Sequence, residues 1–244
     1  MKIVCIVQAR MGSERLPGKV MKDLLGKPMI EYTLRRLKQS RYIDDVLLAT
    51  SDKKEDTPLE EYVSKIGFNT FRGDEANVLK RYICANEIYK GDIVIRVTGD
   101  CPLIDSTILD NVVTYFMTNK YDYVRLDVPN TFIRGFDVEV FSAEALNRVY
   151  EIVKNEPEGS PYKEHVTFYM YKHPQEFKIG VAEGSELYKK DYRLCVDTKE
   201  DFEIVETVYK HFGDMYVSAK EVVEYLDANP QIANINSEIN QKNV

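Results

Sequence analysis

Short, uninterrupted apolar runs at residues 3–7, 46–49 and 93–97 alternate along the chain with segments whose apolar residues recur every three or four positions. A run of that length without polar alternation marks a strand covered on both faces, as in a parallel sheet sandwiched by helices. The helical periodicity falls at 29–37, where Met29, Ile30, Leu34 and Leu37 define one face, and again at 59–66 and 78–89. Strand and helix therefore alternate, which predicts βαβ units, right-handed crossovers and an α/β fold.

The second half is less regular. Ser106 has the chemistry of an N-cap for a helix running to Thr118, and a strand is expected at 121–125. Pro129, Asn130 and Gly135 break up the apolar residues of 126–140, which reads as an extended excursion of the kind that caps a site or pairs with another subunit. Helices are expected at 142–153 and 162–172, the second halted before Pro174, with strands near 177–181 and 193–196. Thr198 with Asp201, and Ser218 with Glu221, have the spacing of N-terminal capping pairs for helices reaching His211 and about Asn229. These features predict one domain over 1–229 and a frayed tail over 230–244.

Composition narrows the function. The 244 residues suffice for one large core. Forty acidic against 33 basic side chains give a net charge of −7, which argues against a nucleic-acid partner. The first 38 residues reverse that balance with nine Lys/Arg and three Asp/Glu, so a local +6 sits on an otherwise acidic protein and suits a small polyanion. Cys5, Cys84, Cys101 and Cys195 lack zinc-site spacing and are too dispersed for a disulfide framework. No apolar run approaches the ~18 residues of a membrane span, and the five apolar residues before Gln8 are too few for a signal peptide, so a cytoplasmic protein with no membrane partner is expected.

The chemistry concentrates in Gln8-Ala9-Arg10-Met11-Gly12-Ser13-Glu14-Arg15-Leu16-Pro17-Gly18-Lys19, between the first strand and the helix at 29–37. Five residues separate its glycines and a valine follows the lysine, so it is not a P-loop, nor is it a Gly-x-Gly-x-x-Gly turn. Its physics still fits phosphate: glycines let backbone N–H groups approach an anion, and Arg10, Arg15 and Lys19 add donors and charge. A solvated basic loop is the alternative, but ligands of open α/β sheets gather at the carboxyl ends of strands, where this loop is placed. Asp100 and Asp197, each expected at a strand end, form a carboxylate pair suited to Mg²⁺, or else serve as a turn residue and a helix cap. Arg72 and Arg81 flank Gly73-Asp74-Glu75 between a strand and a helix, where an arginine can meet a nucleotide or a sugar carboxylate, Arg72 being assigned to the nucleotide; for Arg81 an exposed helix position stays open. Asp137 and Glu139 alternate along a presumed strand and share one face, as sugar-binding groups, ligands of a second cation or a hydrated edge.

Residues 8–28 resemble the cytidylyltransferases that make CMP-activated acidic sugars, the CMP-Kdo and CMP-sialate synthetases, and within that family the spore coat polysaccharide biosynthesis (SpsF) group. Thr-Gly-Asp-Cys-Pro-Leu at 98–103, Gly-Phe-Asp-Val-Glu-Val-Phe at 135–141, Lys-Glu-His-Val-Thr at 163–167 and Val-Asp-Thr-Lys-Glu-Asp at 196–201 extend the resemblance, in order, to about residue 205. It implies a three-layer nucleotide-diphospho-sugar-transferase-like, Rossmann-like fold with a mixed, mainly parallel sheet. It implies Mg²⁺-dependent transfer of CMP from CTP to a 2-keto sugar acid with release of pyrophosphate, for surface or spore-coat polysaccharide, by a homodimer joined through 126–140. Carried onto this chain, Arg10, Lys19 and Asp100 are catalytic; Gln8, Ala9, Arg10, Gly12, Ser13, Arg15, Lys19 and Arg72 bind nucleotide; Asp100 and Asp197 hold Mg²⁺. Asp137, Glu139 and His165, the last in a His-x-x-x-Tyr setting with Tyr169, bind the sugar. Two rivals stand beside this: a nucleotide-sugar-dependent glycosyltransferase, against which Gly99-Asp100-Cys101 stands where an Asp-x-Asp is usual, and a non-catalytic scaffold that keeps the pocket.

Overall fold

The computed structural model describes residues 1–241. Its first half follows the expected alternation, with the two-residue strands β2 (Asp23–Leu24) and β3 (Lys27–Pro28) as unexpected additions after β1 (Ile3–Gln8); α1 (Met29–Leu37), β4 (Asp45–Ser51), α2 (Thr57–Lys65), β5 (Asn69–Gly73), α3 (Val78–Tyr89) and β6 (Ile93–Thr98) follow. Next come α4 (Ser106–Asn119), β7 (Tyr123–Leu126), β8 (Glu139–Ser142), α5 (Ala143–Val153), α6 (Pro161–Glu164), α7 (Phe168–Lys172) and β9 (Ile179–Ala182). The chain continues through α8 (Lys199–Phe212), α9 (Ala219–Ala228) and α10 (Pro230–Ala233).

Seven strands form a mixed sheet in the order β5-β4-β1-β6-β8-β7-β9, parallel except that β8 runs against both its neighbours. Side-chain alternation on β1 divides the core. Ile3, Cys5 and Val7 pack with α1, α2, α4, α8 and α9, whereas Val4 and Ile6 pack with α3 and α5 on the other face. This is the three-layer architecture that continuously apolar strands require. β1 lies between β4 and β6, so the chain leaves β1 where the strand order turns back, the place at which open α/β sheets keep their ligands.

Several local expectations are corrected. Asp105, not Ser106, caps α4, accepting from Thr107 N and Ile108 N at 2.8 and 3.0 Å. Of the excursion at 126–140, Leu126 belongs to β7 and Glu139 and Val140 to β8; Phe132, Ile133, Phe136 and Val138 between them are buried in this chain's own core. The helix expected at 162–172 is broken into α6 and α7, because His165 adopts an extended conformation between them. The stretch 193–196 is not a strand: its one bridge joins Arg193 to Arg134, and it runs beside the sheet with Leu194 N on Arg134 O and Val196 N on Asp100 O. The tail does not fray at Pro230, for α10 follows and Asn236 is only 3% exposed; residues 242–244 of that expectation lie outside the described residues.

Two glycines allow the backbone approaches that position the site. A Cβ at Gly99 would stand 2.7 Å from Ala9 Cβ and 2.9 Å from Ile30 Cδ1, so the exit from β6 presses against the exit from β1. Gly135 has φ +113°, and a Cβ there would meet Leu194 C at 2.5 Å and Cys195 N at 2.7 Å. Both the conformation and the space at Gly135 exclude larger residues. Gly135→Ala should cost about 1–3 kcal/mol or more of unfolding free energy through overpacking and displace 193–197; a urea midpoint equal to wild type would contradict this packing.

Candidate active site

The cationic loop leaves β1 at Gln8 and is closed on itself and pinned to the sheet. Met11 O accepts from Ser13 N at 2.9 Å and Gly18 N at 3.0 Å, while Met11 N donates to Asp56 Oδ1 at 2.6 Å. Asp56 is buried, and its other oxygen accepts from the backbone N and the hydroxyl of Ser51 at the end of β4. The loop therefore has a fixed shape before any ligand enters. On the opposite side, the turn after β6 is held by Arg36 of α1, which donates to the carbonyls of Leu103, Ile104 and Met215, and by Tyr209, whose hydroxyl donates to Pro102 O.

Lys19 joins these pieces. Its Nζ donates at 2.8 Å to each of Asp100 Oδ2, Asp197 Oδ1 and Val196 O, which uses all three ammonium protons. Arg15 reaches Asp197 Oδ2 at 2.9 Å, and Arg193 donates to the same oxygen. Burial opposes charge on Lys19, yet Asp100 and Asp197 push its ammonium up to about 12. Burial also opposes charge on Asp197, but Lys19, Arg15 and Arg193 outweigh it and hold the carboxyl below its usual range. Asp100 and Asp197, far apart in sequence, thus face one another across one cation, on the cationic loop.

Two cavities meet at this cluster. One, of about 640 Å³, is walled by Gln8, Ala9, Arg10, Gly12, Ser13, Arg15 and Lys19 and extends to Glu75 and Arg81. The other, of about 410 Å³, contains Arg96, Arg125, Arg134, Asp137 and Glu139. Arg15, Thr98, Asp100, His165 and Asp197 line both. The floor of the second follows from register: Arg96 of β6 and Arg125 of β7 both pair with Glu139 of β8, so the three form one row.

The structure sorts the expected residues. Every residue of the nucleotide set except Arg72 lines the larger cavity. Arg72 is a correction: its guanidinium donates to Ser51 O, Lys53 O, Thr57 Oγ1 and Glu60 Oε2, tying β5 to the start of α2. Arg81 takes its place in the cavity wall. It is 4% exposed, donates to Asp74 O at 2.8 Å, and among the described residues its Nε has no hydrogen-bond partner. Arg10 is 47% exposed and paired with Glu75 at 3.0 Å.

Asp137 and Glu139 do share the smaller cavity, but Glu139 is no strand edge. Its carboxylate accepts from Arg96, from the Tyr123 hydroxyl and from Thr167 Oγ1 at 2.7 Å, so it anchors the cavity floor. Asp137 Oδ2 accepts from Gly135 N at 2.7 Å, and burial raises its pKa. His165 stands at the junction of the cavities because the helix breaks there, and burial lowers its pKa, favouring neutral imidazole. Cys101 and Cys195 also line the smaller cavity as buried free thiols, with pKa values pushed up by burial.

Sequence reasoning missed Asp56, Arg96, Arg193 and the structural reach of Asp201. Only Asp201 carried a signal, as a capping residue. The capping box with Thr198 is present, and Asp201 also accepts from Asp197 N at 2.9 Å.

A closed cationic loop and two carboxylates at the carboxyl edge of a mixed sheet define a nucleotide-handling site of Rossmann-like kind. The comparisons with known proteins give the family: residues 4–230 match the cytidylyltransferase model, and the chain belongs to the cytidylyltransferases, enzymes of CTP-dependent nucleotidyl transfer. It is 37% identical over 238 residues to the spore coat polysaccharide biosynthesis protein SpsF of Bacillus subtilis, covering 95% of this chain and 96% of that one. A solved cytidylyltransferase from Leptospira borgpetersenii serovar Hardjo-bovis is similar at TM-score 0.89 and 33% identity, over 100% of this chain and 99% of the other. A CMP:2-keto-3-deoxy-manno-octonic acid synthetase solved in complex with CTP shares the fold at TM-score 0.65 and 18% identity, over 86% and 99%. No helix among the described residues is long and apolar enough to cross a membrane.

The depressed pKa of Asp197 sets a pH dependence. Its ion pairs contribute stability above the unfolded carboxyl value of ~3.9, and that contribution is lost as pH falls through the lower folded value. In urea titrations across pH, Asp197→Asn should be less stable near neutrality and show a shallower loss below about pH 4. An acid limb as steep as wild type would mean that the carboxylate is not paired in solution.

Proposed function

We propose that the chain transfers CMP from CTP to a hydroxyl of an acidic sugar, releasing pyrophosphate, with Mg²⁺ held by Asp100 and Asp197. The observation that carries this reading is the junction of two cavities at Asp100, Asp197, Arg15 and His165. Two substrates entering from opposite sides meet there, as attack on an α-phosphate requires. The resemblance of the ordered motifs to acidic-sugar synthetases favours a 2-keto sugar acid as acceptor.

The larger cavity takes the nucleotide. Arg10, Arg15 and Lys19 face the triphosphate, the backbone at Gly12 and Ser13 approaches it, Gln8 and Ala9 lie at the base, and Arg81 adds a buried donor. The smaller cavity takes the acid. Arg125 and Arg134 meet its carboxylate, while Arg96, held by Gln8 Oε1 at 3.0 Å and by Glu139, links the two halves. Neutral His165 is positioned to accept a hydrogen bond from the attacking hydroxyl.

The donor set fits a hard divalent cation. Two carboxylates converge on one position, now held by the Lys19 ammonium, and Mg²⁺ is typically bound by one or two carboxylates and completed by phosphates and water. When bound, the ion neutralises developing charge on the phosphates. The protein's own share is to position the reactants and stabilise the leaving diphosphate with fixed cations.

Purified protein with CTP, Mg²⁺ and a panel of 2-keto sugar acids should release pyrophosphate and form a CMP-sugar detectable by mass spectrometry. CTP binding without turnover of any acid would favour a scaffold, and consumption of a CMP- or UDP-sugar would favour a glycosyltransferase. Asp100→Asn should lower kcat by ~10²-fold or more with the circular dichroism spectrum unchanged, since it removes an electrostatic contact to the reacting centre; full activity would sink its proposed role. Lys19→Met, which frees both carboxylates of their shared ammonium, should tighten Mn²⁺ binding to the nucleotide-free protein in an electron paramagnetic resonance titration while weakening binding of CTP. Unchanged affinity for both would reduce Lys19 to a structural tether.

A further inference from the structure

The start of α8 carries more than a helix end needs. A capping box satisfies two backbone donors, and here Asp201 Oδ2 accepts from Thr198 N at 2.9 Å while Thr198 Oγ1 accepts from Asp201 N at 3.3 Å. Ser218 and Glu221 form the same box at the exposed start of α9. Asp201 differs in being fully buried and in accepting three further hydrogen bonds. Its Oδ2 also takes Asp197 N at 2.9 Å, and its Oδ1 takes Arg193 Nε at 3.1 Å and Asn236 Nδ2 at 2.7 Å.

Arg193 spreads its planar fork over three partners: Nε on Asp201, one terminal nitrogen on Asp197 Oδ2 and the other on Gln241 Oε1. Asn236 closes the network by donating also to Arg193 O at 2.9 Å. One buried carboxylate thus fixes the backbone of Asp197 directly and its side chain through Arg193. The need for this is plain from the fold. Asp100 follows a central strand, but Asp197 follows a stretch whose one bridge, at Arg193, is its only tie to strand-like pairing, so no ladder sets the direction of its side chain.

We infer that Arg193, Asp201 and Asn236 are positioning residues for Asp197, a buried clamp that keeps Oδ1 turned to Lys19 and Asp100. The inference rests on the reading of Asp197 as a cation-holding carboxylate, and it makes the C-terminal segment part of the active-site architecture. Residues that orient a metal-holding carboxylate affect metal binding and turnover without touching substrate.

The test compares full-length Arg193→Lys, Asn236→Ala and the matched cap variant Ser218→Ala with wild type. The readouts are CTP-dependent Mn²⁺ uptake by electron paramagnetic resonance, kcat and KM, and the thermal midpoint. Both clamp variants should weaken Mn²⁺ uptake and lower kcat by roughly tenfold or more, with KM for CTP changing much less. Ser218→Ala should lower the midpoint yet leave uptake and kcat at wild-type values. Clamp variants that lose stability alone would overturn the inference and leave the reading of Asp197 intact. A wild type that takes up no Mn²⁺ with CTP would overturn both. Should Arg193→Lys fail to fold, Asn236→Ala, which leaves Arg193 its bonds to Asp197 and Asp201, decides the matter.

Discussion

The structure turns on one buried ammonium. Lys19 Nζ draws together the cationic loop after β1, the turn after β6 and the stretch before α8, through Asp100, Asp197 and Val196. Two half-buried carboxylates brought this close would repel one another and would each lose hydration, a cost that only close counter-charges offset. Lys19, Arg15 and Arg193 supply three positive charges against the two negative ones and the buried carboxylate of Asp201, which shares Arg193. The cluster is therefore balanced in charge where it faces a cavity of about 640 Å³, and a bare divalent cation would have to displace the ammonium that both carboxylates already share.

The sheet makes that cluster possible. β1 and β6 end in register, with Gln8 opposite Thr98, and β4 runs two residues past the Ala49 that pairs with Gln8, so segments far apart in sequence emerge side by side. β8 reverses direction and thereby brings Glu139 beside Arg96 and Arg125. That register makes the row a polar floor, and the Arg96 link between Gln8 and Glu139 couples it to the larger cavity. The buried charges of Arg96 and Glu139 in that row are paired with one another, and Glu139 also accepts from Tyr123 and Thr167.

How much of this was legible in the sequence depends on range. Apolar runs and helical periodicity reported the first half almost to the residue, α1 and α3 included, because burial on both faces of a central strand leaves a local imprint. The cationic loop and the pair Asp100 and Asp197 were legible through charge, glycine and the resemblance of ordered motifs. Arg72 and Arg81 show where local reading fails. Both flank the same turn, but Arg72 lies on β5 and its donors are taken up at the start of α2, whereas one face of α3 packs on the sheet and carries Arg81 into the cavity wall. Neither outcome is encoded within a few residues of either arginine. His165 was read as a helical residue within a helix halted before Pro174, while the structure breaks the helix there and exposes the ring to both cavities. Asp201 announced itself as a cap, but its contact with Asn236 joins residues 35 apart in sequence, and no short-range signal could have placed Asn236.

The same cluster also constrains the order in which its parts can act. With all three protons of Lys19 spent on Asp100, Asp197 and Val196, the lysine cannot meet a phosphate without releasing an acceptor, and the carboxylates cannot gain a second cation without a compensating anion. A triphosphate that draws Lys19 and Arg15 toward itself relieves both restrictions at once, since it leaves the carboxylates short of positive charge at the moment when its own oxygens are present to share an ion. Arg193 does not take part in that exchange, because its remaining donors are fixed by Asp201 and Gln241, and it stays behind to hold Asp197 in place. On the proposed reading, the loop cations Lys19 and Arg15 and the separately anchored Arg193 divide two tasks that a single type of contact would set in conflict: yielding to the substrate, and keeping the carboxylate in place.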